Sequence, residues 1–235
     1  TLVPTRELQA ELAALGFEHV LHLPRAVDTL RFDPVHRDDA LRARWGLGPD
    51  GLAVAYVGRV AAEKNLDLAI RAYRALQALR PDARFVWVGD GPALAAIREA
   101  NPDFIYCGVQ RGEALARHFA SSDLFLFPSL SETFGNVTIE AMASGVATVA
   151  YRHGAAAEHL RHGVHGAAIA PHDEGAFIDA ACRLSLEDQA RRRMGAAARG
   201  AVQALRPAQV AADFDAILQG IARRGSHADA RPVLA

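Results

Sequence analysis

The sequence predicts an α/β fold in which a doubly wound, mostly parallel sheet carries helices on both faces. Two observations predict it: short apolar runs of strand type recur along the 235 residues, and stretches of helical periodicity lie between them. The strand-like runs lie at 18–23, 52–57, 84–88, 104–107, 124–127, 146–151 and 167–170. Because parallel strands need long crossover connections, strands that alternate with helices indicate βαβ units.

The predicted helices follow from the spacing of apolar residues and from residues that end helices. Residues 6–15 form the first helical stretch, which Gly16 closes. The clearest stretch is 66–79, with one apolar and one charged face. Its apolar face consists of Leu66, Ile70, Tyr73 and Leu76. After about residue 190 only helices are expected, and the last one carries an apolar stripe of Val210, Phe214, Ile217 and Ile221.

The composition is that of an ordinary globular chain. Apolar residues make up 51% of it and the formal net charge is −1, so the basic excess typical of nucleic-acid binding is missing. No apolar run approaches the roughly 20 residues of a membrane span, and no signal-peptide pattern opens the sequence. Cys107 and Cys182 lack metal-site spacing, which favours reduced thiols in a cytoplasmic protein.

The most informative pattern follows the fifth strand-like run. Two carboxylates, Glu132 and Glu140, lie on either side of a glycine at which a helix is expected to begin. The backbone amides of Gly135, Asn136 and Val137 would form the first turn of that helix. Amides in a first turn have no intrahelical partner, so they can bind an anion.

The two carboxylates suit hydroxyl groups at the two ends of such an anion. Glu140 is surrounded in sequence by apolar residues, where an unpaired carboxylate would be costly. A vicinal diol such as that of a ribose would satisfy both of its oxygens, and a solvated helix glutamate is the alternative. Glu132, in the loop, can accept hydrogen bonds from the hydroxyls of a second sugar.

A second candidate anion site follows the strand at 52–57, where Gly58 and Arg59 begin a loop that ends near Lys64. Ligands bind at the carboxyl ends of strands in such sheets. The guanidinium of Arg59 and the ammonium of Lys64 together can neutralise a diphosphate. An isolated pair at this spacing is more often surface charge, but the carboxylate pattern favours the anion site. Lys64 is also the single lysine among 26 Lys and Arg residues, which indicates a need for a compact ammonium.

Three competing motifs are weaker. Gly89 and Gly91 start like a dinucleotide fingerprint, but Leu94 stands where the third glycine belongs, so a tight turn beside the cleft is expected instead. Asp213 and Asp215 fall on an amphipathic helix and are interpreted as surface charge. Four histidines surround Glu158 without the spacing of zinc-protease helices, and we predict no metal site. These are His153, His159, His162 and His165.

Together these residues resemble the C-terminal, donor-binding half of the family-4 retaining glycosyltransferases (glycosyl transferases group 1), which have the GT-B fold with Rossmann-like halves. The resemblance covers about residues 1–205, and its motifs occur in the expected order. They are the segments 23–32, 58–64, 89–92 and 132–145, followed by Gly154, Glu158, Gly163 and Gly166. Ala26 and Ala155 depart from the glycines usual in the family, which affects local loop shape.

The resemblance implies a role for each site residue. Arg59 and Lys64 would hold the donor diphosphate and stabilise charge on the leaving nucleotide, and Glu132 would contact the donor sugar, so these three form the catalytic set. Glu140 would bind the nucleotide ribose, and Val109 would offer backbone groups to the base. The other expected donor-binding residues are Gly58, Thr133, Phe134, Gly135, Asn136 and Val137. No cofactor or metal is expected, because the cations and the helix N-terminus supply the electrostatics.

The resemblance also predicts the domain organisation. Residues 1–23 would be a remnant of the N-terminal acceptor domain, 24–205 the nucleotide-sugar-binding domain, 206–225 a crossover helix and 226–235 a flexible tail. The partners would be the nucleotide sugar, the missing N-terminal domain and an unidentified acceptor glycan or lipid. The missing domain leaves open peripheral attachment at the inner membrane face.

The expected function is retaining transfer of a sugar from a nucleotide-diphosphate donor to an acceptor hydroxyl. The motifs look most like those of mannosyltransferases that use GDP-mannose, and UDP-linked donors remain open. This chain alone is expected to be inactive because the acceptor domain is missing. The alternatives are a non-catalytic nucleotide-sugar-binding module and a nucleotide-sugar 2-epimerase.

Overall fold

A computed structural model describes residues 1–228, with side chains described through residue 223. The chain divides into two compact units, Val27–Gln203 and a smaller unit of Thr1–Ala26 with the chain from Ala204 onward. These boundaries fall within three residues of the predicted ones, and the assignment of the units to domains of a larger enzyme stays a prediction. None of the helices in the described part combines the length and apolar character that a bilayer crossing requires.

The described residues form eight strands, ten α-helices and three short 3₁₀ turns. The strands are β1 (Leu2–Val3), β2 (Leu21–His22), β3 (Ala53–Val57), β4 (Arg84–Val88), β5 (Ile105–Tyr106), β6 (Leu124–Phe127), β7 (Ala147–Tyr151) and β8 (Gly166–Ile169). The helices are α1 (Arg6–Ala14), α2 (Asp39–Arg44), α3 (Leu66–Leu79), α4 (Leu94–Ala100), α5 (Gly112–Ala120), α6 (Asn136–Ala143), α7 (Ala155–His159), α8 (Glu174–Leu186), α9 (Asp188–Ala201) and α10 (Pro207–Ala228). The 3₁₀ turns are Pro34–His36, Ala62–Lys64 and Gln203–Leu205.

The larger unit is built on a six-stranded sheet of order β5-β4-β3-β6-β7-β8. Every neighbouring pair is parallel, which confirms the predicted fold class. The chain winds outward from β3 through β4 to β5, and then returns to β6 on the other side of β3. The loops after β3 and β6 therefore diverge, and such a switch point opens a crevice at the carboxyl ends of the strands.

The core explains why these runs form interior strands. All residues of β3, β6 and β7 are buried, as expected for strands covered by helices on both faces. Aromatic rings fill the space between β4 and α3: Tyr73 stacks on Phe85 with ring centroids 4.6 Å apart, and Phe104 meets both edge-on. Helix α3 has its predicted bounds. Its amphipathic pattern extends along the whole helix, and Arg80 follows as the C-cap.

Differences from the prediction are confined to short or terminal elements. The seven predicted strands are all present: β4 and β6 have the predicted bounds, and the ends of the others lie within three residues of the prediction. Strand β1 was not predicted, because two residues are too few to show an alternating pattern; it pairs in parallel with β2. Helix α10 extends to Ala228, three residues past its predicted end, and residues 229–235 of the predicted tail lie outside the described residues.

The loops after β3 and β4 approach so closely that they require glycine. The register pairs Val57 with Val88, which places Gly58 beside Gly89. A Cβ added at Gly89 would lie 1.9 Å from the carbonyl oxygen of Gly58, and the φ of Gly89 is +140°. Both the backbone conformation and the space exclude any other residue.

Gly89→Ala is expected to lower the free energy of unfolding by about 2–4 kcal/mol, since it combines backbone strain with a backbone clash. Gly108→Ala is the matched control: its φ is also positive, at +65°, but nothing lies within 4 Å of the added Cβ. The control should cost only about 1–2 kcal/mol. Urea unfolding of both variants checks the difference, and equal losses would show that the close approach is not required.

Candidate functional site

A cleft of about 260 Å³ opens at the carboxyl ends of β3 and β4, where the sheet topology places the crevice. Four residues predicted from the sequence line it together: Gly58, Arg59, Val109 and Val137. They come from the loops after β3 and β5 and from the first turn of α6. Its remaining lining residues are Val57, Val88, Gly89, Asp90, Gln110 and Leu115.

Backbone hydrogen bonds between two loops form one wall of the cleft. The amide of Val60 donates to the carbonyl of Asp90 at 2.9 Å, and the amide of Ala93 donates to the carbonyl of Val60 at 3.0 Å. A Cβ at Gly91 would lie only 2.3 Å from the carbonyl oxygen of Val60. The tight turn predicted at Gly89 and Gly91 therefore does line the cleft. Its glycines allow the backbones of the two loops to come into contact.

Arg59 lines the cleft, and its ion pair is exposed to solvent. Its guanidinium pairs with Glu63 across one turn, and 64% of its side chain is exposed. An exposed pair of this kind contributes about 0–1 kcal/mol, so the guanidinium can leave it at little cost. The backbone is held more firmly, because the hydroxyl of buried Tyr56 donates to the Arg59 carbonyl at 2.8 Å.

Lys64 is bound to Glu132. The ammonium Nζ lies 2.5 Å from Oε1 of Glu132 and donates to the carbonyl of Ser131 at 3.2 Å. Both side chains are largely buried, with 15% and 14% exposed. A buried charge needs a partner, so each of these groups compensates the other while no ligand is bound. Sequence reasoning assigned them to different parts of a ligand and did not foresee this pair, because 68 residues separate them.

The Glu132 carboxylate also lies beside the N-terminus of α6. Gly135 precedes the helix with a φ of +90°, and no side chain caps it. A Cβ at Gly135 would lie 3.7 Å from Oε2 of Glu132. The helix N-terminus carries partial positive charge, so the loop carboxylate sits between this end of the helix dipole and the Lys64 ammonium.

Glu140 follows the first turn of α6 and carries the most perturbed carboxylate of the cluster. Residues four apart share one side of a helix, so Glu140 lies on the same side as Asn136. Among the described residues its carboxylate has no hydrogen-bond or ion-pair partner, and burial raises its pKa to about 7 from 4.5. A group that is half ionised at neutral pH and lacks a partner is typical of a ligand-binding position.

Three predicted residues remain, two in the loop before α6 and one at the first position of that helix: Thr133, Phe134 and Asn136. Thr133 and Asn136 are exposed. Phe134 is not: its ring is buried and meets His159 edge-on, with centroids 6.1 Å apart. Its carbonyl accepts a hydrogen bond from Ala155 at 2.5 Å. The ring of Phe134 therefore anchors the loop in the core and is turned away from solvent.

Two lining residues were not predicted from the sequence. Gln110 donates from its side-chain amide to the carbonyl of Cys107 at 2.6 Å, which fixes the loop that presents Val109. Leu115, in the first half of α5, adds apolar surface next to it. The signal that could have found both is their position after β5, since loops at the carboxyl ends of all strands meet at this edge.

The histidine-rich segment has structural roles in the described residues. The Nδ1 atoms of His162 and His165 lie 3.1 Å and 3.0 Å from backbone carbonyls of Ala168 and His159. Nowhere in residues 1–228 do three or more His, Cys, Asp or Glu side chains gather as a metal site would require. Of the predicted charged residues, Arg59 lines the cleft, whereas Lys64, Glu132 and Glu140 lie outside its lining residues.

Comparison with known proteins finds close matches in sequence. The sequence model of a family described as "Glycosyl transferases group 1" matches residues 51–187. The chain is 37% identical over 198 residues to a GDP-mannose-dependent alpha-mannosyltransferase of Corynebacterium glutamicum, which covers 84% of this chain and 47% of that protein. It is 34% identical over 160 residues to sulfoquinovosyl transferase SQD2 of Arabidopsis thaliana, covering 66% of this chain and 31% of the relative. The chain spans less than half the length of these relatives.

Solved structures share the fold. Sucrose-phosphate synthase from Thermosynechococcus elongatus superimposes with a TM-score of 0.82 at 22% identity, over 95% of this chain and 58% of that one. HepE from Anabaena, solved in complex with UDP, gives a TM-score of 0.81 at 20% identity, over 93% and 63% of the two chains.

Glu140→Gln is expected to stabilise the fold at pH 8 and not at pH 5. The folded-state pKa of about 7 exceeds the ordinary value of 4.5, so the native state binds the proton more tightly. The stability of the parent chain therefore falls as pH rises from about 4.5 through 7 and then levels off. The neutral amide avoids this loss, and a gain of about 1–3 kcal/mol is expected at pH 8. Urea unfolding at both pH values measures it, and the same difference at pH 5 and 8 would contradict burial of an ionised carboxylate.

Proposed function

Because the chain belongs to the glycosyl transferases group 1 family, we propose that its cleft binds the nucleotide-diphosphate sugar donor of a sugar-transfer reaction. One observation carries the proposal. The cleft at the carboxyl ends of β3 and β4 brings Gly58, Arg59, Val109 and Val137 together, with the Lys64–Glu132 pair on the loops beside it. An anion with a hydroxyl-bearing group on either side suits this arrangement.

The diphosphate is assigned to the centre of the site. Lys64 and Arg59 supply two cations, and Gly135 allows a phosphate oxygen to approach the backbone amides at the start of α6. Arg59 can turn from its exposed pair with Glu63 at small cost. Each charge-assisted hydrogen bond to a phosphate contributes about 1.5–3 kcal/mol, so three such contacts correspond to roughly millimolar to micromolar binding.

The nucleoside is assigned to the side of Glu140 and Val109. A ribose diol would give the Glu140 carboxylate the two hydrogen bonds that it lacks among the described residues. The exposed backbone at Val109, whose loop Gln110 holds in place, offers donor and acceptor groups to the edge of a base. Leu115 adds the apolar surface against which the base can pack.

GDP-mannose is the proposed donor. The support is sequence similarity: three relatives, from Corynebacterium, Mycolicibacterium and Mycobacterium, are named GDP-mannose-dependent alpha-mannosyltransferases, at 37–39% identity. A UDP-linked sugar is the alternative, because neighbours of the same fold were solved with UDP. The reaction is proposed to retain configuration at the anomeric carbon, and transfer is proposed to need an acceptor-binding domain in addition to the unit Val27–Gln203.

Arrival of the donor would redistribute the charges of the resting site. The Lys64 ammonium would transfer from Glu132 to the diphosphate, and Glu132 would then be free to accept hydrogen bonds from sugar hydroxyls. When the bond to the anomeric carbon breaks, negative charge develops on the leaving diphosphate. Once Lys64 and Arg59 have moved to the diphosphate, they and the N-terminus of α6 would face this charge and lower the barrier.

Calorimetric titration with GDP, UDP and ADP tests the proposal directly. GDP is expected to bind most tightly, and Lys64→Ala should weaken it by about 1.5–3 kcal/mol through loss of one charge-assisted contact. Arg98→Ala, which removes an exposed cation that packs on Tyr106 away from the cleft, is the matched control and should change little. A folded chain that binds none of the three nucleotides, or robust sugar transfer by this chain alone, would contradict the proposal.

Glu132→Gln should separate the two roles of the loop carboxylate. GDP alone should bind roughly two- to tenfold more tightly, because no ion pair of Lys64 has to be broken before its ammonium contacts the phosphates. The additional affinity of GDP-mannose over GDP should shrink, since an amide is a poorer acceptor for sugar hydroxyls. Glu63→Gln, which releases Arg59 from an exposed pair, should change GDP affinity less than twofold. Weaker GDP binding by Glu132→Gln would show that the ion pair does not oppose the ligand.

A further inference from the structure

A second cavity, of about 660 Å³, opens at the opposite edge of the sheet. Asp123, which lines it, directly precedes β6 and accepts a hydrogen bond from the amide of Ala53 at the start of β3. Ser144 and Gly145 bring the cavity to the beginning of β7. Five residues of β3 at about 3.3 Å each separate this edge from the cleft by roughly 15 Å. The cavity is therefore separate from the proposed donor site.

Arginines dominate the charge of the cavity. Four arginines line it against two aspartates, a formal excess of +2. The arginines are Arg37, Arg42, Arg191 and Arg192, and the aspartates are Asp39 and Asp123. An excess of cations around a concave space attracts anions and excludes other cations.

Two of the arginines are structural. Arg42 is 3% exposed, and its guanidinium donates to the carbonyls of Ser121 and Gly51 at 2.8 Å and 2.6 Å and to Asp123 at 2.9 Å. Arg191 is 5% exposed and donates to the carbonyl of Leu184 at 2.8 Å. Arg191 also pairs with Asp188 at 2.8 Å, so the charges of both buried arginines are compensated by carboxylates, and these groups hold the walls in place.

The other two arginines have capacity for a ligand. Arg37 shares Asp123 with Arg42, so a single carboxylate faces two guanidinium groups. Within residues 1–228, Arg192 makes no ion pair or hydrogen bond. A guanidinium with free donors is the group best suited to bidentate binding of a phosphate.

A buried hydroxyl also has capacity for a ligand. Ser144 lines the cavity and is 3% exposed, and in the described part of the chain its Oγ has no hydrogen-bond partner. An unpartnered buried hydroxyl is costly. Rotation about χ1 to another staggered well can direct it to a ligand oxygen.

We propose that this cavity binds a small phosphate monoester that also carries hydroxyl groups, such as a sugar phosphate. Arg37 and Arg192 bind the phosphate, Ser144 donates to one of its oxygens, and Asp39 accepts from a ligand hydroxyl. The volume lies within the range of 300–1,000 Å³ typical of small-molecule sites. A concave space that is lined on several sides favours a small ligand over a flat anionic surface.

Calorimetric titration with glucose 6-phosphate tests the proposal, in the Lys64→Ala background so that the donor cleft contributes little. Saturable binding in the micromolar-to-millimolar range is expected. Arg192→Ala and Arg37→Ala should each weaken it roughly 10- to 150-fold, as loss of a charge-assisted contact to phosphate predicts. Both side chains lie at the surface, and thermal unfolding checks that the variants fold.

Arg193→Ala is the matched control, since Arg193 follows Arg192 in α9, carries the same charge and does not line the cavity. It should change the affinity less than twofold, and neutral glucose should not bind. Three results would each overturn the proposal: no saturable binding of glucose 6-phosphate, equal weakening by Arg193→Ala and Arg192→Ala, or binding of glucose as tight as that of its phosphate. None of these results depends on whether the donor cleft binds GDP.

Discussion

The close approach of the loops that follow β3 and β4 is the constraint on which the candidate site depends. The register of the two strands brings Gly58 against Gly89, and no side chain fits between their backbones. Hydrogen bonds that join Val60 to Asp90 and Ala93 then hold the two loops as one wall. Because this wall is backbone, its position is set by the register of β3 and β4, and the cleft lies directly against these strands.

Charge in the candidate site is balanced internally while no ligand is present. The Lys64 ammonium and the Glu132 carboxylate neutralise each other in a largely buried position beside the start of α6. Glu140 has no such partner among the described residues, and burial raises its pKa. The site therefore contains one ion pair, Lys64–Glu132, and one carboxylate without a partner, that of Glu140. In the proposed function a diphosphate would separate the pair, and a diol would change the protonation of Glu140. Contacts to the donor would then replace these internal contacts, so the strength of the Lys64–Glu132 pair would enter the affinity.

The two edges of the parallel sheet use arginine differently. At the carboxyl edge, Arg59 is exposed and loosely paired, so it can follow a ligand. At the amino edge, Arg42 and Arg191 are buried and bound to backbone carbonyls, so they shape a cavity. The planar guanidinium serves both purposes, because it can satisfy several carbonyls at once when buried and can bind phosphate in a fork when free. A chain with almost no lysine can therefore build walls and binding groups from one residue type.

The sequence by itself determined the fold class, the seven principal strands, the bounds of α3 and the residues that line the cleft at Gly58, Arg59, Val109 and Val137. These features rest on local periodicity and on the rule that ligands bind where parallel strands end, except Val109, which was implied by the family resemblance alone. Only the tertiary structure decided that Lys64 pairs with Glu132, that the ring of Phe134 turns into the core, and that four arginines meet at the amino edge. Each of these depends on contacts between residues far apart in the chain, and local pattern carries no information about which distant side chain compensates a buried charge.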